Sequence, residues 1–155
     1  MKTPFGITEL ARDKRSRNAK FLTAVRFQRE LPFPFPDGKG TDSKGNVWFT
    51  VSKGIMTIST SYAWNGASPK RLIFGVFFGT PDFYDTILPT LWHDVFFQFS
   101  HAIHRYVTMI QVNTMFHQDM KNNDFKLADL YHDAVSEFGD SFWAIPDKNT
   151  SYILT

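Results

Sequence analysis

Cysteine is absent from the 155 residues. Its absence excludes disulfide bridges and thiolate chemistry, and fits a reducing compartment. No apolar run approaches the ~20 residues of a membrane-spanning helix, and the polar Met1-Lys2-Thr3 start lacks the apolar core of a signal peptide. The chain therefore reads as soluble, with no membrane span. Also missing are a Gly-rich phosphate loop, a Walker pattern, a nucleophile-elbow context around Ser68, any internal repeat and any low-complexity tract. What remains is aromatic. The chain has 17 Phe and is 43% hydrophobic, enough to fill the core of one domain and to leave aromatic surface for a partner.

The net charge of +2 hides an asymmetry. Residues 1–30 hold eight Lys/Arg against Glu9, Asp13 and Glu30, leaving nine basic and twelve acidic residues for the other 125. Residues 1–20 form a basic arm. Such a block is either a solvated terminal segment or an attractor for an acidic protein surface or nucleic acid. It lacks the interleaved aromatics that single-strand binding uses.

Along the chain, Thr8 to Asn18 reads as a short helix and Phe21 to Phe27 as a strand. Pro32-Phe33-Pro34-Phe35-Pro36 forbids both, because proline at every second position fixes φ and removes amide donors, which favours an extended run. Residues 37–46 have loop chemistry. Val47, Phe49 and Val51 then alternate, Lys53-Gly54 turns the chain, and Met56, Ile58, Tyr62 and Trp64 resume the alternation, as in a hairpin. Arg71 to Phe78 is a third strand or a buried turn.

From Asp85 the period becomes helical. Ile87, Leu91, Val95, Phe99 and Ile103 recur every fourth residue, and Pro89 belongs in a first turn, so a helix starts near Asp85 to Leu88. Tyr106, Met109, Asn113, Phe116 and Met120 mark a second helix. Leu127, Leu130, Tyr131, Ala134 and Phe138 mark a third, ended by Gly139. Strands followed by helices argue for an α+β fold. The expected architecture is a small antiparallel sheet in the N-terminal half packed with a helical hairpin or three-helix bundle in the C-terminal half. Residues 1–155 read as a single domain, with an extended aromatic tail over 141–155.

Two clusters carry the functional signal: Trp64-Asn65-Gly66-Ala67-Ser68-Pro69, and His93-Asp94 one element later on a helix. Over about half the chain, Met56 to Phe138, their order resembles an uncharacterised family found mainly in tailed bacteriophages and prophages. That family's pattern runs Asp-Gly-Ala-Ser-Ile-Pro, then His-Asp-x-x-Tyr, then Ala-Asp-x-x-Phe. Here Asn65 stands in place of the first Asp, and Ser68-Pro69 lacks the intervening Ile. Phe97 replaces the Tyr, Asn113 replaces the second-helix Asp, and Phe116 matches.

Adjacent helical side chains point about 100° apart, so His93 and Asp94 cannot be a mutually bonded dyad. By arrangement alone, the pair resembles secreted and viral phospholipases A2. That likeness implies His93 as general base for water, Asp94 as a calcium ligand together with oxygens of Asn65, Gly66, Ala67 and Ser68, and Asn113 at the position that orients the imidazole. Loss of the carboxylate at Asn113 and of the phenol at Phe97 weighs against activity, since an Asp-to-Asn change at the orienting position of a serine protease costs about 10⁴ in turnover.

Two functions follow. The first is a phage-encoded, non-catalytic interaction module without cofactor, virion-associated or assembly-related. It would hold other phage proteins or itself, in the virion or in the cytoplasm of the infected bacterial host. The alternative is a metal-assisted hydrolase using calcium, His93 and Asp94. Of the other polar groups, His101 and His104 stand at a spacing that could share a metal, while His117 with Asp119 and His132 with Asp133 read as solvated faces.

Overall fold

The structure is a computed structural model and describes residues 2–10, 21–64, 71–73, 76–78 and 84–155. It is α+β, with antiparallel sheets ahead of the helices. Strands β1 (Ile7–Glu9), β2 (Phe21–Thr23) and β7 (Ala63–Trp64) make a small sheet in the order β1-β2-β7. The main sheet adds β3 (Phe27–Glu30), β4 (Gly38–Asp42), β5 (Val47–Ser52), β6 (Ile55–Ile58) and β10 (Thr150–Leu154), in the order β10-β4-β5-β6-β3. β8 (Arg71–Ile73) and β9 (Val76–Phe78) form a separate two-stranded antiparallel sheet. Helices α1 (Tyr84–Gln98), α2 (Ser100–Ile103), α3 (Met109–Asn122) and α4 (Ala128–Phe138) follow, and a 3₁₀ turn, Gly139–Ser141, ends α4.

The β5–β6 hairpin forms where the alternation placed it. Lys53 and Gly54 both take positive φ, 50° and 77°, the conformation of a tight two-residue turn whose twist suits the flanking strands. Phe49, Val51, Met56 and Ile58 are buried, but Val47 is exposed. The β4–β5 register advances one residue on β4 and two on β5 between Gly40↔Phe49 and Thr41↔Val47. Trp48 is therefore a bulge residue, and Val47 is turned outward.

The glycine-rich stretch after Pro36 is a strand in the sheet interior, not a loop over all of 37–46. β4 pairs with β5 on one side and β10 on the other. Its glycines are spaces. A Cβ at Gly40 would lie 2.0 Å from the Phe49 ring, and one at Gly38 would lie 2.7 Å from Tyr152. The loop is confined to the residues between Asp42 and Val47. There Asp42 accepts from the N–H groups of Lys44 and Asn46, the Asn46 amide and the Trp48 indole.

The N-terminal helix expected over Thr8 to Asn18 is not seen in its described part, since Ile7–Glu9 is β1 and residues 11–20 lie outside the described residues. The strand expected over Phe21 to Phe27 is two strands in two sheets, divided by the bend at residues 24–26. The tail is also more regular than expected. Thr150–Leu154 adds an edge strand, with Tyr152 stacked on Phe49 and its hydroxyl donating to Pro36 O at 2.6 Å.

α1 starts at Tyr84, one residue ahead of the expected Asp85 to Leu88, which leaves Pro89 just past the first turn and inside the helix. Proline has no N–H to offer the carbonyl four residues back. That carbonyl, Asp85 O, accepts instead from Asn123 Nδ2 at 3.0 Å, so a residue at the end of α3 repairs the ladder of α1. This bond and the mid-helix contact of His93 with Asn113 set the two helices antiparallel. α3 begins at a capping box, Thr108 with Gln111, which satisfies two otherwise orphaned amide groups.

α4 presents a different face from the one expected. Ala128 and Tyr131 are buried against Phe116 and Met120, whereas Leu127 and Leu130 are exposed. The small Ala128 lets α4 approach α3, so the packing stripe runs through 128, 131 and 135; the expected Tyr131 lies on it, and Leu127 and Leu130 do not. Gly139 is not a left-handed cap, since its φ is −62°. A Cβ there would lie 3.1 Å from Met109 Sδ and 3.3 Å from the Phe97 ring. The largest core cluster joins Phe21, Phe49, Met56, Tyr62 and Trp64 to Ile87, Leu91, Val95, Phe96 and Phe99, so sheets and helices share one apolar interior.

Two outcomes test this account. Gly40→Ala should destabilise the fold by about 1–3 kcal/mol, the cost of overpacking, as read by chemical denaturation. Asp42 is held down from its ordinary 3.8 to about 2, chiefly by the Asn46 side-chain amide. A carboxyl depressed on folding stabilises the native state above its unfolded value, and that contribution is lost as pH falls through the folded one. Asp42→Asn should therefore flatten the fall in melting temperature between pH 3.8 and about 2.

Candidate functional site

His93 sits mid-way along α1 and is 7% exposed. Its Nε2 lies 2.9 Å from Asn113 Oδ1 on α3. Asn113 Nδ2 in turn donates to Val135 O of α4 at 3.4 Å, which fixes which end of the amide faces the ring. Nε2 is therefore the donor in this contact. Phe97, one turn further along α1, stacks on the ring at 4.3 Å between centroids, and Phe116 leans on it at 4.7 Å. Trp143, from the tail, meets Phe97 edge-on at 5.1 Å.

The position expected to orient the imidazole does contact it, but through a neutral amide. The position expected to hold a phenol supplies an apolar face. Asp94 is partly exposed, and its Oδ1 lies 3.6 Å from His93 Nδ1, beyond hydrogen-bond range. It also helps burial push the Tyr62 phenol well above its ordinary value. That phenol donates to Gln98 Oε1 at 2.6 Å.

Asn65, Gly66, Ala67 and Ser68 lie outside the described residues, as does any contact from them to His93 or Asp94. The chain reaches residue 64 in a defined place. Trp64 Nε1 donates to Thr90 Oγ1 at 3.2 Å, which ties β7 to α1 one turn before Asp94. Among the described residues no group of three or more His, Asp or Glu is placed to hold a metal ion. His101 and His104 have ring centroids 6.4 Å apart, and His104 Nδ1 faces the carbonyl of His101 at 2.9 Å. No described helix is long and apolar enough to cross a membrane.

Sequence reasoning missed two polar clusters. Asp119 does not share a solvated face with His117. It receives a two-pronged contact from Arg29 of β3, at 2.5 and 3.2 Å, and the Arg29 guanidinium also lies over Trp92 at 5.5 Å. Burial pushes the Asp119 carboxyl above its ordinary value, against the pull of Arg29. Arg29, one of the eight basic residues near the N-terminus, is thus neutralised by the helical layer. His117 instead stacks on His132 across α3 and α4 at 4.4 Å, with Asp129 Oδ1 2.7 Å from its Nε2. No local spacing announces either cluster, because each joins residues on separate elements.

Compared with known protein families, curated proteins and solved structures, the chain matches none of them.

The site makes a structural prediction. Asn113→Leu removes the acceptor of a buried imidazole N–H, and an unpaired buried donor costs about 1–3 kcal/mol. Thermal unfolding should show that loss, while Asn113→Gln or Asn113→Asp, which keep an acceptor, should lose less.

Proposed function

We propose that this chain is a non-catalytic interaction module encoded by a tailed phage or prophage and associated with the virion or its assembly. The observation that supports it most is the state of His93. Its Nε2 is engaged by Asn113, Phe97 and Phe116 cover its ring, and only 7% of the residue is exposed. A general base must come within hydrogen-bond reach of the proton it removes; what supports the module reading is the burial of this ring, which spaces α1 from α3 and offers little surface to a substrate. The phage assignment rests on the resemblance of the loop and His-Asp clusters. An interaction role is supported by large apolar side chains left in solvent, among them Phe5 at 90%, Ile110 at 73% and Ile145 at 50% exposure.

Calcium-dependent ester or lipid hydrolysis should be negligible. Restoring Phe97→Tyr together with Asn113→Asp should create little of it, because a carboxylate and a phenol do not open the ring to substrate. Hydrolysis by the unmodified chain, lost in His93→Ala with the fold retained, would establish the hydrolase with His93 as base and Asp94 as calcium ligand. Mass spectrometry of purified virions should find the chain at a defined copy number.

A further inference from the structure

The main sheet ends in two unlike edges. β3 exposes Gln28 and Glu30, and a charge such as that of Glu30 is of the kind that keeps an edge strand from pairing. β10, Thr150-Ser151-Tyr152-Ile153-Leu154, has no charge and no proline. Its inner side is fully used. Ser151 and Ile153 stand opposite Thr41 and Lys39 of β4, and Thr155 N–H continues the ladder to Asp37 O at 3.2 Å. Alternation in an antiparallel ladder then places the N–H and C=O groups of Thr150, Tyr152 and Leu154 on the outer side. Among the described residues these groups make no backbone hydrogen bond beyond the ladder. Exposure is 9% at Thr150, 47% at Ile153 and 56% at Leu154.

We propose that β10 pairs with β10 of a second copy of this chain, antiparallel about a two-fold axis through Tyr152, joining two five-stranded sheets into one. The outward groups are self-complementary in this arrangement. Tyr152 exchanges two bonds with Tyr152 of the second copy, and Thr150 exchanges two with Leu154 at each end, about six in all. Side chains agree with the backbone. Ile153 lies across from Ser151 and Leu154 across from Thr150, so no like charges meet, and Lys148 falls beyond the paired segment. The occupant is a second copy because a neutral strand meets its own twin without electrostatic opposition, and because a closed two-fold pair leaves neither edge open. The proposal gives the interaction reading a specific surface and rests on that reading only for its biological use.

Sedimentation velocity of the full chain over a range of concentrations tests it. The unmodified chain should form dimers. Leu154→Pro deletes an outward donor without touching a rung to β4, and Ile153→Lys sets like charges on the paired edge. Each should weaken self-association about tenfold or more, with circular dichroism and melting temperature unchanged, whereas Ile145→Lys, at an exposed apolar site outside the strand, should leave it intact. If Leu154→Pro lowers the melting temperature, Ile153→Lys decides alone. A chain that stays monomeric at every concentration, or a dimer indifferent to Ile153→Lys, would overturn the proposal. Neither result bears on the absence of hydrolysis, and hydrolysis would leave the edge pairing untouched.

Discussion

Phe49 has nowhere to go unless residue 40 is glycine, and much of the fold is arranged around that fact. Its ring occupies the space that a Cβ at Gly40 would fill, meets Phe99 edge-on at 5.0 Å, and stacks on Tyr152 at 5.8 Å. One side chain in β5 thereby touches the helical layer through Phe99 and the last strand through Tyr152. Edge-to-face and offset contacts of this kind add to the area they bury. Phe33 and Phe35 extend the same layer, both edge-on to Phe96 at 5.5 and 5.8 Å, while Pro32 and Pro34, each just ahead of one of them, are exposed. Alternate prolines hold the segment extended, and an extended chain puts the two Phe rings on one face.

How far such an arrangement is legible from sequence depends on how local its cause is. The β5–β6 turn and the Ile87-Leu91-Val95-Phe99-Ile103 stripe are set by neighbours a few residues away, and both were readable. β4 was not. Its glycines look like loop residues because the rings that need their space come from Phe49 and from Tyr152, over a hundred residues downstream. The same limit applies at Pro89, whose cost to α1 is offset by Asn123 on another helix, and on α4, where Ala128 rather than Leu127 faces α3. The Thr108-x-x-Gln111 capping box was a local signal that marks the start of α3 more sharply than the apolar pattern from Tyr106.

In the candidate site, the pairing of position 113 with His93 and the nearness of Phe97 to the ring both follow from antiparallel helices and a one-turn spacing. The inward seat of Phe116 and the reach of Trp143 to Phe97 depend on tertiary packing. So do Arg29 with Asp119 and His117 with His132, each of which crosses between elements. The basic character of the first thirty residues is a true feature of composition, yet composition cannot tell a charge held against a helix from one offered to solvent.

The balance between scaffold and enzyme turns on what surrounds one imidazole. A carboxylate at position 113 would accept the Nε2 proton and also supply a negative charge to meet a positive ring during proton transfer. An amide accepts the same proton with a dipole alone, and its own N–H₂ is committed to Val135 O. The ring is thus held in orientation by an amide rather than a carboxylate, and Phe97 and Phe116 bring no polar group to its faces. Asp94 Oδ1 lies 3.6 Å from Nδ1, beyond hydrogen-bond range and within ion-pair distance of a protonated ring. A polar residue bonded to Asn113 of α3, which is bonded in turn to Val135 of α4, with the Phe97 and Phe116 rings against it, specifies how α1, α3 and α4 fit together. That specificity is a structural reason for a histidine at this position.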